Sequence, residues 1–210
     1  MATDPNRPTT PRAAWQAMLD GNQRFVSGSL AHPRQDIDRR EALAERQRPY
    51  AALFGCADSR LSAEIIFDVG LGDFFVVRNA GQVIAETILG SLEYAVEVLE
   101  VPVILVLGHD ECGAIRATIN SIEGNLNSQG EFIHNLVDRI RPTVLAAHEQ
   151  GKHDIDEITE LHIHDTINEM LTRSKLISEA VKAGKLAVVG ANYKLTLGEV
   201  RPIVTIGDVA

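Results

Sequence analysis

Four short, unbroken apolar runs, each separated from the next by residues of helical period, constrain this chain more than any other feature. The runs lie at 50–55, 74–77, 102–107 and 185–190. A strand with one face in water alternates apolar and polar residues, so a continuous apolar run needs cover on both faces. Stretches of helical period at 62–67, 85–99 and 112–122 fall between the runs, where the crossovers of a parallel sheet belong. A further run at 202–206 suits an edge strand. The pattern predicts an α/β fold with a mostly parallel central sheet, about four parallel strands plus an edge strand, flanked by helices.

The remaining segments extend this plan. Trp15, Met18, Leu19, Phe25 and Val26 recur at helical spacing and Gly28 supplies a stop, so residues 1–30 read as an N-terminal helical arm behind a polar lead at 1–12. The charged stretch 31–48 predicts a short helix near 39–46. Between 123 and 184 the chain reads as mostly helical: one apolar period spans 132–148, with Pro142 opening a second helix or kinking the first, and a long helix over 166–183 ends at Gly184. No internal repeat or low-complexity tract divides the chain. Residues 1–210 therefore form a single domain, with 50–210 as its α/β core.

Charge and cysteine usage exclude several classes. A formal net charge of -9 argues against nucleic-acid binding, which needs a concentrated basic face. The most apolar run, 101–107, falls far short of the roughly 20 residues that span a bilayer. The lead at 1–12 lacks the apolar core of a secretory signal, so the expected location is the cytoplasm, without a membrane partner. Only two cysteines occur, Cys56 and Cys112, and a reducing compartment disfavours a disulfide between them. Taken alone, two free thiols are as readily small buried apolar residues. Their neighbours favour chemistry.

Cys56-Ala57-Asp58-Ser59-Arg60 follows the first core run directly, and His109-Asp110-Glu111-Cys112 follows the third. Both clusters thus leave the carboxyl ends of parallel strands, the edge where open α/β sheets bind ligands. Thiolate and imidazole donors suit zinc, and His109 and Cys112 are spaced to clasp a metal from one turn, with Cys56 as third ligand. Three protein ligands leave one position open to water, whose pKa zinc lowers to about 7 in hydrolytic sites. Two thiolates would offset the ion's charge, which predicts an activity still rising above neutrality. Asp58 is placed either to bind the metal at rest or to accept a hydrogen bond from the reacting water, and Arg60 to hold it as a bidentate partner. His153, His162 and His164 invite a second metal site, but their spacing favours surface or interface roles. His134 and His148 are expected to face solvent, Asp110 and Glu111 to be hydrated. Gly70-Leu71-Gly72 lacks the third glycine of a dinucleotide loop.

Four motifs in this order and spacing, CADSR (56–60), VVRNAG (76–81), EYAVEVL (93–99) and GHDECGA (108–114), give the chain a resemblance to the β-class carbonic anhydrases over about 14–207. The resemblance implies a carbonate dehydratase, a lyase that reversibly hydrates carbon dioxide to bicarbonate and a proton by attack of zinc-bound hydroxide. It implies one zinc per chain on Cys56, His109 and Cys112, with Asp58 and Arg60 as a catalytic dyad. By the same resemblance Gln47 hydrogen-bonds substrate, often across a subunit interface, and Phe75 and Tyr94 line the pocket, which Ala80 makes roomier. Arg78 and Tyr94 match part of a bicarbonate pocket in some members, but Leu53 stands where a tryptophan is expected. The implied assembly is a homodimer or homotetramer, with the N-terminal helix packed on a partner subunit. Two alternatives share these residues: a zinc hydrolase of carbonyl sulfide or carbon disulfide, and a bicarbonate-sensing or structural zinc protein. The intact Asp58, Arg60 and Gln47 argue against the second.

Overall fold

The buried apolar runs become adjacent strands of one sheet in the computed structural model, which describes residues 7–209. In chain order the elements are α1 (Pro11–Val26), α2 (Ile37–Ala42), β1 (Ala51–Cys56), α3 (Ala63–Ile66), β2 (Phe74–Asn79), a 3-10 turn (Ala80–Gln82), α4 (Glu86–Glu97), β3 (Val103–His109), α5 (Gly113–Ile122), α6 (Glu131–Glu149), α7 (Ile155–Arg173), α8 (Lys175–Lys182), β4 (Ala187–Lys194) and β5 (Glu199–Ile206). The strand order is β2-β1-β3-β4-β5; the first four are parallel, and β5 runs antiparallel to β4. The expected four parallel strands and edge strand are therefore present. The predicted lead at 1–12 falls partly outside the described residues.

Alternating side chains feed two cores. Val103, Leu105 and Leu107 point to a layer holding Ala14, Trp15, Met18, Ile115, Ile140 and Val144. Ile104 and Val106 point to the opposite layer, against Leu92 of α4, Ile163, Ile167 and Met170 of α7 and Ile177 of α8. Every residue of β1, β3 and β4 is buried, which is why their sequence shows no polar alternation. Among the described residues no helix is long and apolar enough to cross a membrane.

Three sequence expectations need correction. First, the face of α1 that carries Trp15 and Met18 is laid on its own sheet. Trp15 and Met18 are buried in this chain's core. Asn22 donates to the carbonyls of Ile66 and Gly198 and accepts from the Val200 N–H at 2.9 Å, so its amide is satisfied by this chain's own backbone. Second, the helix expected over 166–183 starts earlier and breaks at Ser174, whose hydroxyl accepts from the Ile177 N–H and thereby caps α8. Third, Pro142 opens no new helix: α6 runs through it, and the short charged helix ends by Ala42.

Candidate metal centre

The strand order reverses between β1 and β3, since the chain leaves β1 towards β2 on one side and later enters β3 on the other. Loops leaving such a point diverge and open a crevice at the carboxyl ends. Cys56 is the last residue of β1, His109 is the last of β3, and Cys112 is the residue just before α5. Glu111, at φ +52, makes the tight turn that brings Cys112 back beside His109. The sulfur atoms of Cys56 and Cys112 and a ring nitrogen of His109 all lie within 4.8 Å of one another, and all three residues are buried.

Hydrogen bonding fixes the state of His109. Its Nδ1 lies 2.7 Å from the Asp110 carbonyl oxygen, which can only accept, so Nδ1 carries the proton. Nε2 is left as a bare lone pair, fully buried and without a hydrogen-bond partner among the described residues. A buried acceptor without a donor is costly in a folded protein, and beside two thiols it is the arrangement a soft divalent cation satisfies.

The thiols behave as a pair sharing one negative charge. The hydrogen bond from Cys112 holds Cys56 down at about 4 against the opposing effect of burial, with the Gly81 N–H adding to the lowering. The same hydrogen bond and burial push the Cys112 thiol far up.

Around the cluster, side chains tie the two loops down. Asp58 accepts from Arg60 at both oxygens and from the Arg60 backbone N–H, and its Oδ2 lies 3.9 Å from His109 Nε2. The Arg60 side-chain hydrogen bonds hold the Asp58 carboxyl well below the usual carboxylate range. Arg60 also donates to the Glu111 carbonyl at 3.3 Å, so it joins the CADSR loop to the loop between His109 and Cys112. Arg78 donates to the carbonyls of Cys56 and Asp58 at 2.8 and 2.6 Å, a backbone clamp that sequence reasoning did not assign.

The other predicted site residues lie apart from this cluster. Gln47 and Tyr94 share the wall of a groove of about 780 Å³ with Arg7, Arg46, Arg48 and Glu100. Phe75 packs on Tyr94, with ring centroids 6.0 Å apart. The groove's walls include none of Cys56, His109 and Cys112. Leu53 is buried in β1, and Ala80 is exposed. His162 is not a surface residue: it is 4% exposed, because it shares the buried stripe of α7 with Thr159, Ile163 and Thr166. Its burial also corrects the expectation of a surface histidine group with His153 and His164. Among the described residues, Cys56, His109 and Cys112 are the one group of three such side chains poised for a metal.

The chain belongs to the carbonic anhydrases, in their β class: the family model described as carbonic anhydrase matches residues 51–200. It is 50% identical over 191 residues to carbonic anhydrase 2 of Mycobacterium tuberculosis, covering 90% of this chain and 91% of that one. To a carbonic anhydrase of Mycolicibacterium smegmatis the identity is 46% over 201 residues, with 96% and 97% covered. In fold it is similar to a tetrameric β-carbonic anhydrase from Sordaria macrospora, with a TM-score of 0.72 at 22% identity, covering 91% of this chain and 98% of that one. The Coccomyxa β-carbonic anhydrase bound to acetazolamide gives 0.71 at 24% identity, with 90% and 86% covered. The cofactor is zinc, and the donor set of Cys56, His109 and Cys112 fits it.

Proposed function

We propose that this chain reversibly hydrates carbon dioxide at a zinc ion held by Cys56, His109 and Cys112. The observation that carries the reading is His109, whose buried Nε2 has no hydrogen-bond partner among the described residues and which brings a ring nitrogen within 4.8 Å of two thiol sulfurs. Zinc bound there would supply a Lewis acid that makes water nucleophilic near neutral pH. The chain's own groups supply the rest. Cys56 and Cys112 give the anionic donors, and the Asp110 carbonyl holds His109 in the tautomer that leaves Nε2 free.

Asp58, kept ionised by Arg60, accepts a hydrogen bond from the reacting water and turns a lone pair of that water towards the substrate carbon. The 3.9 Å between Asp58 Oδ2 and His109 Nε2 puts the carboxylate at the edge of the ligand cluster. Arg60 engages both Asp58 oxygens, which favours this orienting role over ligation of the metal by Asp58. Bicarbonate leaves as the next water enters, and the proton passes to buffer.

We also propose that the chain self-associates, supported by the tetrameric Sordaria macrospora neighbour. Gln47 and Tyr94, remote from the ligands of their own chain, would then contribute to substrate binding together with Phe75 from across an interface between copies. We place the enzyme in the cytoplasm, where reducing conditions keep both thiols available as ligands.

Stopped-flow hydration by the zinc-loaded protein, across pH ~6.5 to ~9, tests the reading. Activity that rises with pH and falls about 100-fold or more in Asp58→Ala supports it. A fully zinc-loaded protein with no hydration activity at any pH rejects it.

A further inference from the structure

Midway along α7, His162 is buried, and its Nε2 lies 2.7 Å from the carbonyl oxygen of Gly81. A carbonyl only accepts, so Nε2 carries the hydrogen and donates it. Burial pushes the imidazole pKa down and keeps the ring neutral, while Nδ1 has no hydrogen-bond partner among the described residues. The ring therefore makes a single directed hydrogen bond, and that bond goes to the turn over the metal cluster.

Gly81 faces both ways. Its carbonyl receives His162, and its own N–H donates to Cys56 Sγ at 3.3 Å. It sits at φ +73, and the next residue, Gln82, at φ +39. Two successive left-handed residues, the second with a buried side chain, store strain and persist only where the surroundings fix them. Asn79 pins the far end of the turn, accepting from the Val83 N–H at 3.0 Å and donating to the Val83 carbonyl at 2.8 Å. His162 pins its middle. A methyl group on Gly81 would stand 2.8 Å from Ala114 Cβ and 2.9 Å from Ile140 Cδ1, so the turn is enclosed on its other side.

We propose that His162 is a positioning residue for the metal centre: by holding the Gly81 carbonyl it aims the Gly81 N–H at Cys56 Sγ and sets how much charge that thiolate gives to the metal. The proposal rests on Cys56 acting as a ligand, as proposed above. A hydrogen bond to a ligating sulfur withdraws electron density from it, so the ion keeps more of its positive charge and acidifies its water more strongly. In a site with two thiolates this works against the loss of Lewis acidity that they impose.

Cobalt(II)-loaded wild type, His162→Gln and His162→Asn test this. The glutamine amide reaches the position of Nε2, and the asparagine amide falls short. The expected result is a thiolate-to-cobalt absorption band in His162→Gln that matches wild type. In His162→Asn the band moves to longer wavelength, because the sulfur recovers the electron density that the hydrogen bond withdrew. Identical bands in all three proteins, or a His162→Gln protein as altered as His162→Asn, overturn the proposal. Cadmium-113 NMR on the wild type needs no variant: the Gly81 amide proton should show scalar coupling to cadmium through Cys56 Sγ, and its absence overturns the proposal. A wild type that binds cobalt with no thiolate band is a different failure, since it rejects the metal site itself.

Discussion

Arg60 grips Asp58 at both carboxylate oxygens, Nε to Oδ1 at 2.9 Å and Nη2 to Oδ2 at 2.7 Å, while its backbone N–H also reaches Oδ1 at 2.9 Å. Such a two-point pair fixes the direction of the remaining lone pairs as well as the charge. Arg60→Leu leaves Asp58 ionised at neutral pH, because an isolated aspartate titrates near about 3.9. The variant loses aim and keeps charge. Turnover should fall about 10- to 100-fold with KM little changed and zinc content intact, as read by stopped-flow kinetics and metal analysis. A variant with wild-type turnover would remove Arg60 from the reaction.

The paired thiols predict how the site takes up metal. Cys56 lies down at about 4 and is already a thiolate at neutral pH, whereas the Cys112 thiol is pushed up and keeps its proton. A zinc ion ligated by both sulfurs must displace that proton. Uptake near neutral pH should release about one proton from the thiol pair per zinc, and affinity should rise about tenfold per pH unit. Calorimetry in buffers of different ionisation enthalpy counts the proton directly. Release of two protons per zinc at about pH 6, where a zinc-bound water still keeps its proton, would show Cys56 protonated in the metal-free protein.

The readable part of this molecule is the part where one local rule decides. Continuous apolar runs mark β1, β3 and β4 because each is covered on both faces, and the cysteine and histidine at their ends are visible for the same reason. Ser174 is not legible: its neighbours continue a helical period, and the break falls where its hydroxyl donates to Glu93 Oε1 at 2.6 Å across 81 positions of sequence. His162 failed for a related reason. Its spacing to His153 and His164 carries no information, whereas the buried stripe through Ile158, Thr159, Ile163, Thr166 and Ile167 places it in the core. Trp15 and Phe25 show that an amphipathic face announces burial without naming what covers it.

Asp68 predicts how stability responds to acid. Burial pushes its carboxyl up, but Arg24 and the backbone N–H groups of Ala31 and His32 more than offset this, and the net pKa is lowered. A depressed folded-state pKa adds stability that is complete above the unfolded value, about 3.9, and is lost as pH falls through the folded value. Asp68 also sits at φ +45, a conformation asparagine tolerates, so Asp68→Asn alters the charge and leaves the backbone. Urea unfolding at neutral pH should show a loss of about 1–3 kcal/mol. At a pH below ~3 the gap between variant and wild type should narrow. A gap that stays constant with pH would mean that shape, and not charge, holds the segment around Ala31.

The close seating of α7 on the sheet rests on two glycines and one isoleucine. A Cβ on Gly108 of β3 would stand 2.6 Å from Ile163 Cδ1, and a Cβ on Gly190 of β4 would stand 2.6 Å from Ile163 Cγ2. Ile163 therefore fills the space that side chains on both strands would occupy. Neither glycine has a positive φ, so the requirement is for space and not for backbone freedom. Gly190 is the tighter of the two, because Val204 Cγ1 at 2.7 Å and Ile167 Cδ1 at 2.8 Å close the same hollow. Gly190→Ala should destabilise the fold by about 1–3 kcal/mol through overpacking. Combining it with Ile167→Val, which removes the Cδ1 methyl group 2.8 Å from the added Cβ, should recover part of that loss. The two changes are then non-additive, as expected of residues in direct contact. Chemical denaturation of the two single variants and the double variant measures the coupling. Strict additivity would show that α7 moves away as a body and does not repack around Ile167.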